Sequence, residues 1–371
     1  MTVPPPVHHP LKTVQAWLGW IPRYERQLSA VGMVTGFVTD NFMFRRVDLP
    51  NTQVLFILYL SVAAISILIL HSLNAHRDPE APQPRWQSWL PFASQFALGS
   101  LWSGFLIFYT RSAVLIASWP FLLVLAAIFI GNEAFKHYHA RLVFTATLLF
   151  FALFSYAIVT VPIFVHRVGV FPFLLAGLAA IAVFTVFLWL LFLFGRKSFV
   201  ASKWQMIGGA ALVYLLINVF WFTNILPPLP IALARSGVYN MVKHVGDDYI
   251  GTAEQQPWYV NPTLPAVVHL SPGDPVYVYS AVFAPVRFTT EIVHKWQHYN
   301  PTRKRWTAVS VVTYPINGGR DGGYRGYTIK RKPLDGDWRV DISTGDGHLL
   351  GRVRFKIVHT PPMNMVSTSL N

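Results

Sequence analysis

Long stretches in the first two thirds of the chain contain almost no polar positions. Phe171 to Phe194 runs for 24 residues without an ionisable side chain, and Leu142 to Val165 does so for another 24. A bilayer core needs about 20 apolar residues per helix, so each stretch is a spanning candidate. The same length criterion predicts seven spans, at 29–44, 53–71, 90–110, 113–131, 142–165, 171–194 and 205–226. The first is short and holds Asp40, and a six-span arrangement would make it re-entrant or interfacial. Before it, Leu11, Val14, Trp17, Leu18 and Ile21 recur at helical spacing, with Lys12, Gln15, Arg23 and Arg26 elsewhere. Residues 1–28 therefore read as a cytoplasmic amphipathic segment on the membrane surface, without the continuous apolar run of a secretory signal.

Beyond Pro227, Pro228 and Pro230 the period changes. Residues 227–262 read as a linker in which 231–245 could form an interfacial helix, although Gly237 weakens it. From 263 to 360 short strands alternate with turns. In the last strand Leu349, Val353, Phe355 and Ile357 point one way, and Arg352, Arg354 and Lys356 the other. One wet and one dry face predict an antiparallel immunoglobulin-like β-sandwich, closed by a tail over 361–371. The expected architecture is thus a membrane α-helical bundle followed by an all-β sandwich.

Charge supplies the orientation. With the N-terminus inside, ten Lys or Arg fall on the cytoplasmic side, against four (Arg45, Arg46, Arg111 and Arg167) in outer loops. That bias predicts an inner-membrane protein with a cytoplasmic N-terminus and, after seven spans, a periplasmic C-terminal domain. Composition agrees: 53% of residues are hydrophobic and 12% charged, against about 25% charged in soluble domains. The absence of cysteine excludes a disulfide scaffold, a thiolate metal site and a cysteine nucleophile.

In order along the chain stand His294-Lys-Trp296, Gly318-Gly-Arg320, Gly323-Tyr-Arg325, Gly336-Asp-Trp338-Arg339-Val-Asp341 and Leu350-Gly351-Arg352. Together they resemble the bacterial domain of unknown function 2914. The membrane half is similar to the part that accompanies it in polytopic versions of that family, through Gly36-Phe-Val-Thr-Asp40, Arg45-Arg46-Val-Asp48 and Gly131-Asn132-Glu133. The resemblance implies organisation and carries no catalytic residue.

Ionisable groups near lipid are costly unless paired or wet. Asp40, Arg45, Arg46, Arg111, His166 and Arg167 all fall near the outer ends of spans 1, 3 and 5, a candidate basic pocket for an anionic lipid or polyprenyl-phosphate sugar. Loop charges snorkelling to the interface, with Asp40 paired to Arg45 or Arg46, would give the same pattern. At the inner end of span 4, Glu133 reads as a helix-end pair with Lys136 or His137. In the β-region His294, Trp296, Arg320, Tyr324 and Arg325 form a candidate platform for a partner or glycan, and the glycine-rich turn around them is the plainer alternative. No metal or cofactor is expected. His294 and His298 stand about 13 Å apart on a strand, too far to share an ion, and His137 with His139 lacks supporting carboxylates. The basic triplets Arg303-Lys-Arg305 and Lys330-Arg-Lys332 suit anionic headgroups or acidic polymers rather than nucleic acid, with a solvated basic surface that binds no specific ligand as the equal alternative. With no hydrolase or metalloprotease motif, the expected function is non-catalytic: an envelope binding or assembly protein, in contact with membrane lipids and with a partner protein or envelope glycan, as an accessory subunit of a larger membrane complex. The alternative is a transporter or lipid-modifying enzyme acting at the outer pocket.

Overall fold

The computed structural model describes residues 35, 37–42, 44, 49–76, 85–112, 115–134, 141–246, 248–255, 265–318, 322–362 and 364–370. The amphipathic segment expected over 1–28 lies outside them. Helical residues at 35 and 37–42 precede six helices: α1 (Pro50–His76), α2 (Trp89–Ser112), α3 (Leu115–Ala134), α4 (Leu142–Val165), α5 (Val170–Phe194) and α6 (Arg196–Phe222). Five of these, all but α3, are long and apolar enough to cross a membrane; α3 contributes a shorter apolar stretch, Ala117–Asn132.

Helix α4 packs against α1, α2, α5 and α6 and is the hub of the bundle. Its apolar residues run all round the helix, so most of its length is buried; an all-apolar helix has no wet face to turn outward. Aromatic rings fill the interior. Phe56 meets Phe44, Phe105 and Phe108, Trp102 meets Phe151, and Phe173 lies flat on Trp221 at 4.4 Å. Outward-facing Leu178, Trp189, Trp204, Leu212 and Leu215 stay exposed, an apolar surface far beyond that of soluble monomers.

The β-region starts at once after the bundle, with β1 (Ala232–Tyr239), β2 (Met241–Val245) and β3 (Asp248–Glu254). The interfacial helix expected over 231–245 is therefore two strands. Then come β4 (Ala266–His269), β5 (Val276–Phe283), β6 (Thr289–Asn300), β7 (Arg305–Asn317), β8 (Tyr324–Lys330), β9 (Gly336–Thr344), β10 (Leu349–Val358) and β11 (Met365–Ser369). They form a five-stranded sheet β4-β10-β9-β6-β7, a three-stranded sheet β1-β5-β8, and a second three-stranded sheet β11-β3-β2. The expected C-terminal tail is a strand paired with β3.

Strand β5 explains the third sheet. Val276, Val278 and Val282 face the five-stranded sheet and pack with Trp296, Trp338, Phe355, Ile292 and Ile342. On its other face Tyr277, Tyr279 and Ala281 pack with Val242, Tyr249 and Leu370. A strand apolar on both faces needs cover on both, and β2, β3 and β11 supply the second layer. Strand β10 keeps its expected alternation from Arg352 onward. A register shift between Leu349 and Gly351 buries Leu350 where Leu349 was expected.

Candidate functional site

The β-region platform expected from sequence is divided by the fold. His294 and Trp296 share the inward face of β6 with Ile292, and both are fully buried. His294 Nε2 lies 2.9 Å from Ser280 Oγ and 3.2 Å from the Tyr314 hydroxyl, and its Nδ1 lies 2.9 Å from Thr328 Oγ1. The Trp296 indole donates to the same Thr328 oxygen at 3.0 Å, and Ser280 Oγ is 2.7 Å from the Tyr314 hydroxyl. This is a closed polar network in the sandwich core, and neither His294 nor Trp296 can meet an external ligand. Burial holds the His294 imidazole down to about pKa 4 and pushes the Tyr314 phenol up to about 12.

Tyr324 and Arg325 point to opposite faces of β8. Tyr324 packs into the sandwich, and Arg325 faces the Tyr279 side. Arg320 lies outside the described residues. The flanking glycines answer to close approach: a Cβ on Gly318 would collide with the Pro285 carbonyl oxygen, and Gly323 has φ +83 against the Val282 backbone.

In the bundle, Arg111 at the end of α2 donates to the Phe44 carbonyl oxygen and, at 2.8 Å, to the Asn41 carbonyl and side-chain oxygens. It therefore caps the carbonyl end of the first helical segment, which is where a guanidinium is favoured. Asp40, half-buried, lies on that segment; His166 and Arg167 are exposed at the end of α4. Arg45 and Arg46 lie outside the described residues, as do the Glu133 side chain, Lys136, His137 and His139. A lateral apolar groove of about 440 Å³ runs between α1, α4 and α5, lined by Leu60, Leu153, Tyr156, Thr160 and Val183.

The ends of α2, α4 and α6 meet the β-region on one side of the bundle. Ser112 Oγ donates to the Ile231 carbonyl, and Val168 in the α4–α5 turn joins the hydrophobic core of the sandwich. The β9–β10 turn docks beside it. His348 lies on the Trp221 ring at 4.2 Å, and the Asp346 carboxylate abuts Gly169 at the start of α5, where a negative charge complements the helix dipole. Burial lowers the His348 pKa, and Asp346 partly offsets this. At the opposite side, Ser72 Oγ bonds the Phe194 carbonyl at the α5–α6 junction.

The outer face of the five-stranded sheet carries the arrangement with the most binding chemistry. Arg352 forms a two-point ion pair with Asp341; Gln297 donates to Asp341 at 2.9 Å and accepts from Arg339 at 2.8 Å. The Arg339 guanidinium lies 4.6 Å above the Trp306 ring, which in turn meets Tyr299 at 5.3 Å. Arg354 and Lys356 project exposed beside them. The outward alternation of Arg352, Arg354 and Lys356 is visible in the sequence, whereas the approach of Trp306 and Arg339 from separate strands is not. Among the described residues no group of three or more His, Asp or Glu could hold a metal ion.

Comparison with known proteins adds organisation. No curated protein matches the chain. An immunoglobulin-like protein from Pseudomonas aeruginosa is 12% identical, with 33% of this chain and 97% of that one covered at TM-score 0.18. A Listeria innocua β-glucosidase in complex with laminaribiose is 11% identical, covering 32% of this chain and 17% of that one at TM-score 0.18. A Pseudomonas fluorescens alkylpurine DNA glycosylase bound to DNA is 10% identical, covering 81% and 97% at TM-score 0.23. None of these scores supports a shared mechanism. Residues 289–357, from β6 to β10, match the family described as protein of unknown function (DUF2914), and the chain thus carries a DUF2914 domain at the end of an apolar helical region.

Proposed function

We propose that this chain is a non-catalytic binding or assembly protein of the bacterial inner membrane. In this reading seven spans hold an immunoglobulin-like head in the periplasm, where it engages a partner protein or envelope glycan. The observation that carries it is the junction: Trp221 with His348, Ser112 with Ile231, and Gly169 with Asp346 fix the head to three helix ends. A head keyed in this way is displayed at a set orientation rather than swinging on a linker, which suits a docking role. The strand order β4-β10-β9-β6-β7 against β1-β5-β8 supports an immunoglobulin-like assignment, since the sheets of that fold likewise divide strands distant in sequence. Engagement of Arg111 with backbone carbonyls weighs against a phosphate pocket at the helix ends.

The test is native mass spectrometry on protein extracted gently from its own membranes. A stoichiometric protein or glycan adduct is expected. A chain carrying only a lipid mass, released by Arg167→Gln, would overturn the reading in favour of lipid handling.

A further inference from the structure

The five-stranded sheet places cations on its outer face in a way that folding alone does not favour. In the β9–β10 ladder Arg354 stands directly opposite Arg339. Like charges at paired positions of an antiparallel ladder repel. The neighbouring row pairs Arg352 with Asp341 and satisfies both. Arg339 has a neutral hydrogen-bond partner, Gln297, and a ring beneath it, Trp306, so its charge is held in place without being neutralised. Partial burial and then Arg352 disfavour the charged form of Arg339, Asp341 favours it, and Arg354 adds a smaller push against it.

We propose that this face binds an acidic polysaccharide, with Arg339 and Arg354 gripping carboxylate groups and the Trp306–Tyr299 pair flanking the sugar rings. This rests on the binding reading above and names its ligand class. Planar guanidinium forks match carboxylates at two points, and a bound carboxylate between Arg339 and Arg354 relieves their repulsion. Aromatic rings beside these forks suit a carbohydrate, which offers flat C–H faces along with its charges. A membrane headgroup is a poorer match, because Arg354 lies about 20 Å along the strand from the His348 turn that touches the helix ends.

The experiment uses the full chain in nanodiscs of zwitterionic lipid, with polygalacturonate, polyglutamate and neutral dextran as probes in biolayer interferometry. Saturable binding of polygalacturonate is expected, with weaker binding of polyglutamate and none of dextran. Arg354→Gln and Arg339→Gln should each weaken it by about tenfold or more, the scale of one lost charged hydrogen bond, while Lys197→Gln at the far end of the bundle leaves it unchanged. Arg354 is exposed, so its substitution reports on binding even if Arg339→Gln disturbs the sheet. Absence of saturable binding, equal affinity for polyglutamate, or indifference to both arginine variants would overturn the proposal. If the native adduct persists while polygalacturonate fails to bind, this inference falls and the broader binding reading stands.

Discussion

Acid should loosen the β-region through one buried side chain. His294 is fully enclosed between the two sheets of the sandwich, and burial moves its pKa from 6.5 to about 4. The folded state keeps the imidazole neutral, whereas the unfolded chain takes up a proton below pH 6.5. Stability from this group is therefore complete above that value and is lost as the pH falls towards 4. Each pKa unit corresponds to about 1.4 kcal/mol, so the loss approaches about 3.5 kcal/mol at its limit and is about 2.5 kcal/mol by pH 4.5. Hydrogen exchange followed by mass spectrometry, on peptides from β5 and β6, reads this directly. After correction for intrinsic exchange, protection in the unaltered protein should fall by about 70-fold between pH 7.5 and 4.5. His294→Gln lowers protection at every pH but should remove most of that slope. His348 also has a depressed pKa and contributes in the same direction, so the difference in slope between the two proteins isolates His294. Equal slopes would refute the argument that burial of His294 drives the acid sensitivity.

Other substitutions probe the junction and the bundle. Trp221→Ala removes the contacts with both Phe173 and His348 and should cost about 3–5 kcal/mol, seen as faster exchange in the β9–β10 turn. Gly169→Ala forces a side chain into φ +122 with its Cβ 2.7 Å from the Asp346 carboxylate, at a cost of about 1–3 kcal/mol. Adding Asp346→Ala should restore the part due to crowding, which a double-mutant cycle on thermal stability measures. Arg111→Gln should loosen the segment around Asn41 by about 1.5–3 kcal/mol, detected as quicker proteolysis there.

The helices were legible because an unbroken apolar run longer than a bilayer is thick needs no partner to be recognised. Five of the expected spans coincide with long apolar helices. Strands β5, β6, β7, β9 and β10 show in the sequence as alternating or Val- and Thr-rich runs, whereas β8 begins at Tyr324 inside the stretch that reads as a glycine-rich turn. The third sheet was not, because β1 to β3 carry mixed patterns such as Ala232-Leu-Ala-Arg-Ser-Gly-Val-Tyr239 and gain their meaning from the second apolar face of β5. Alternation also gives the two faces of a strand without saying which is inward. From alternation alone His294 and Trp296 read as a surface pair, whereas in the fold they share the buried face of Ile292. Contacts such as Arg339 with Trp306 depend on sheet order, which nothing local in the sequence encodes.

The central claim is that the bundle crosses the membrane and holds the head on the side opposite the α5–α6 junction. The chain has no cysteine, so single cysteines can be placed at will. Thr302→Cys, in the exposed β6–β7 turn, and Lys197→Cys, exposed at the start of α6, report the two sides. Treated with a membrane-impermeant maleimide on spheroplasts, Thr302→Cys should label fully, and Lys197→Cys should label only after the membrane is opened. Labelling of both positions in intact spheroplasts, or of Lys197→Cys alone, would contradict the account.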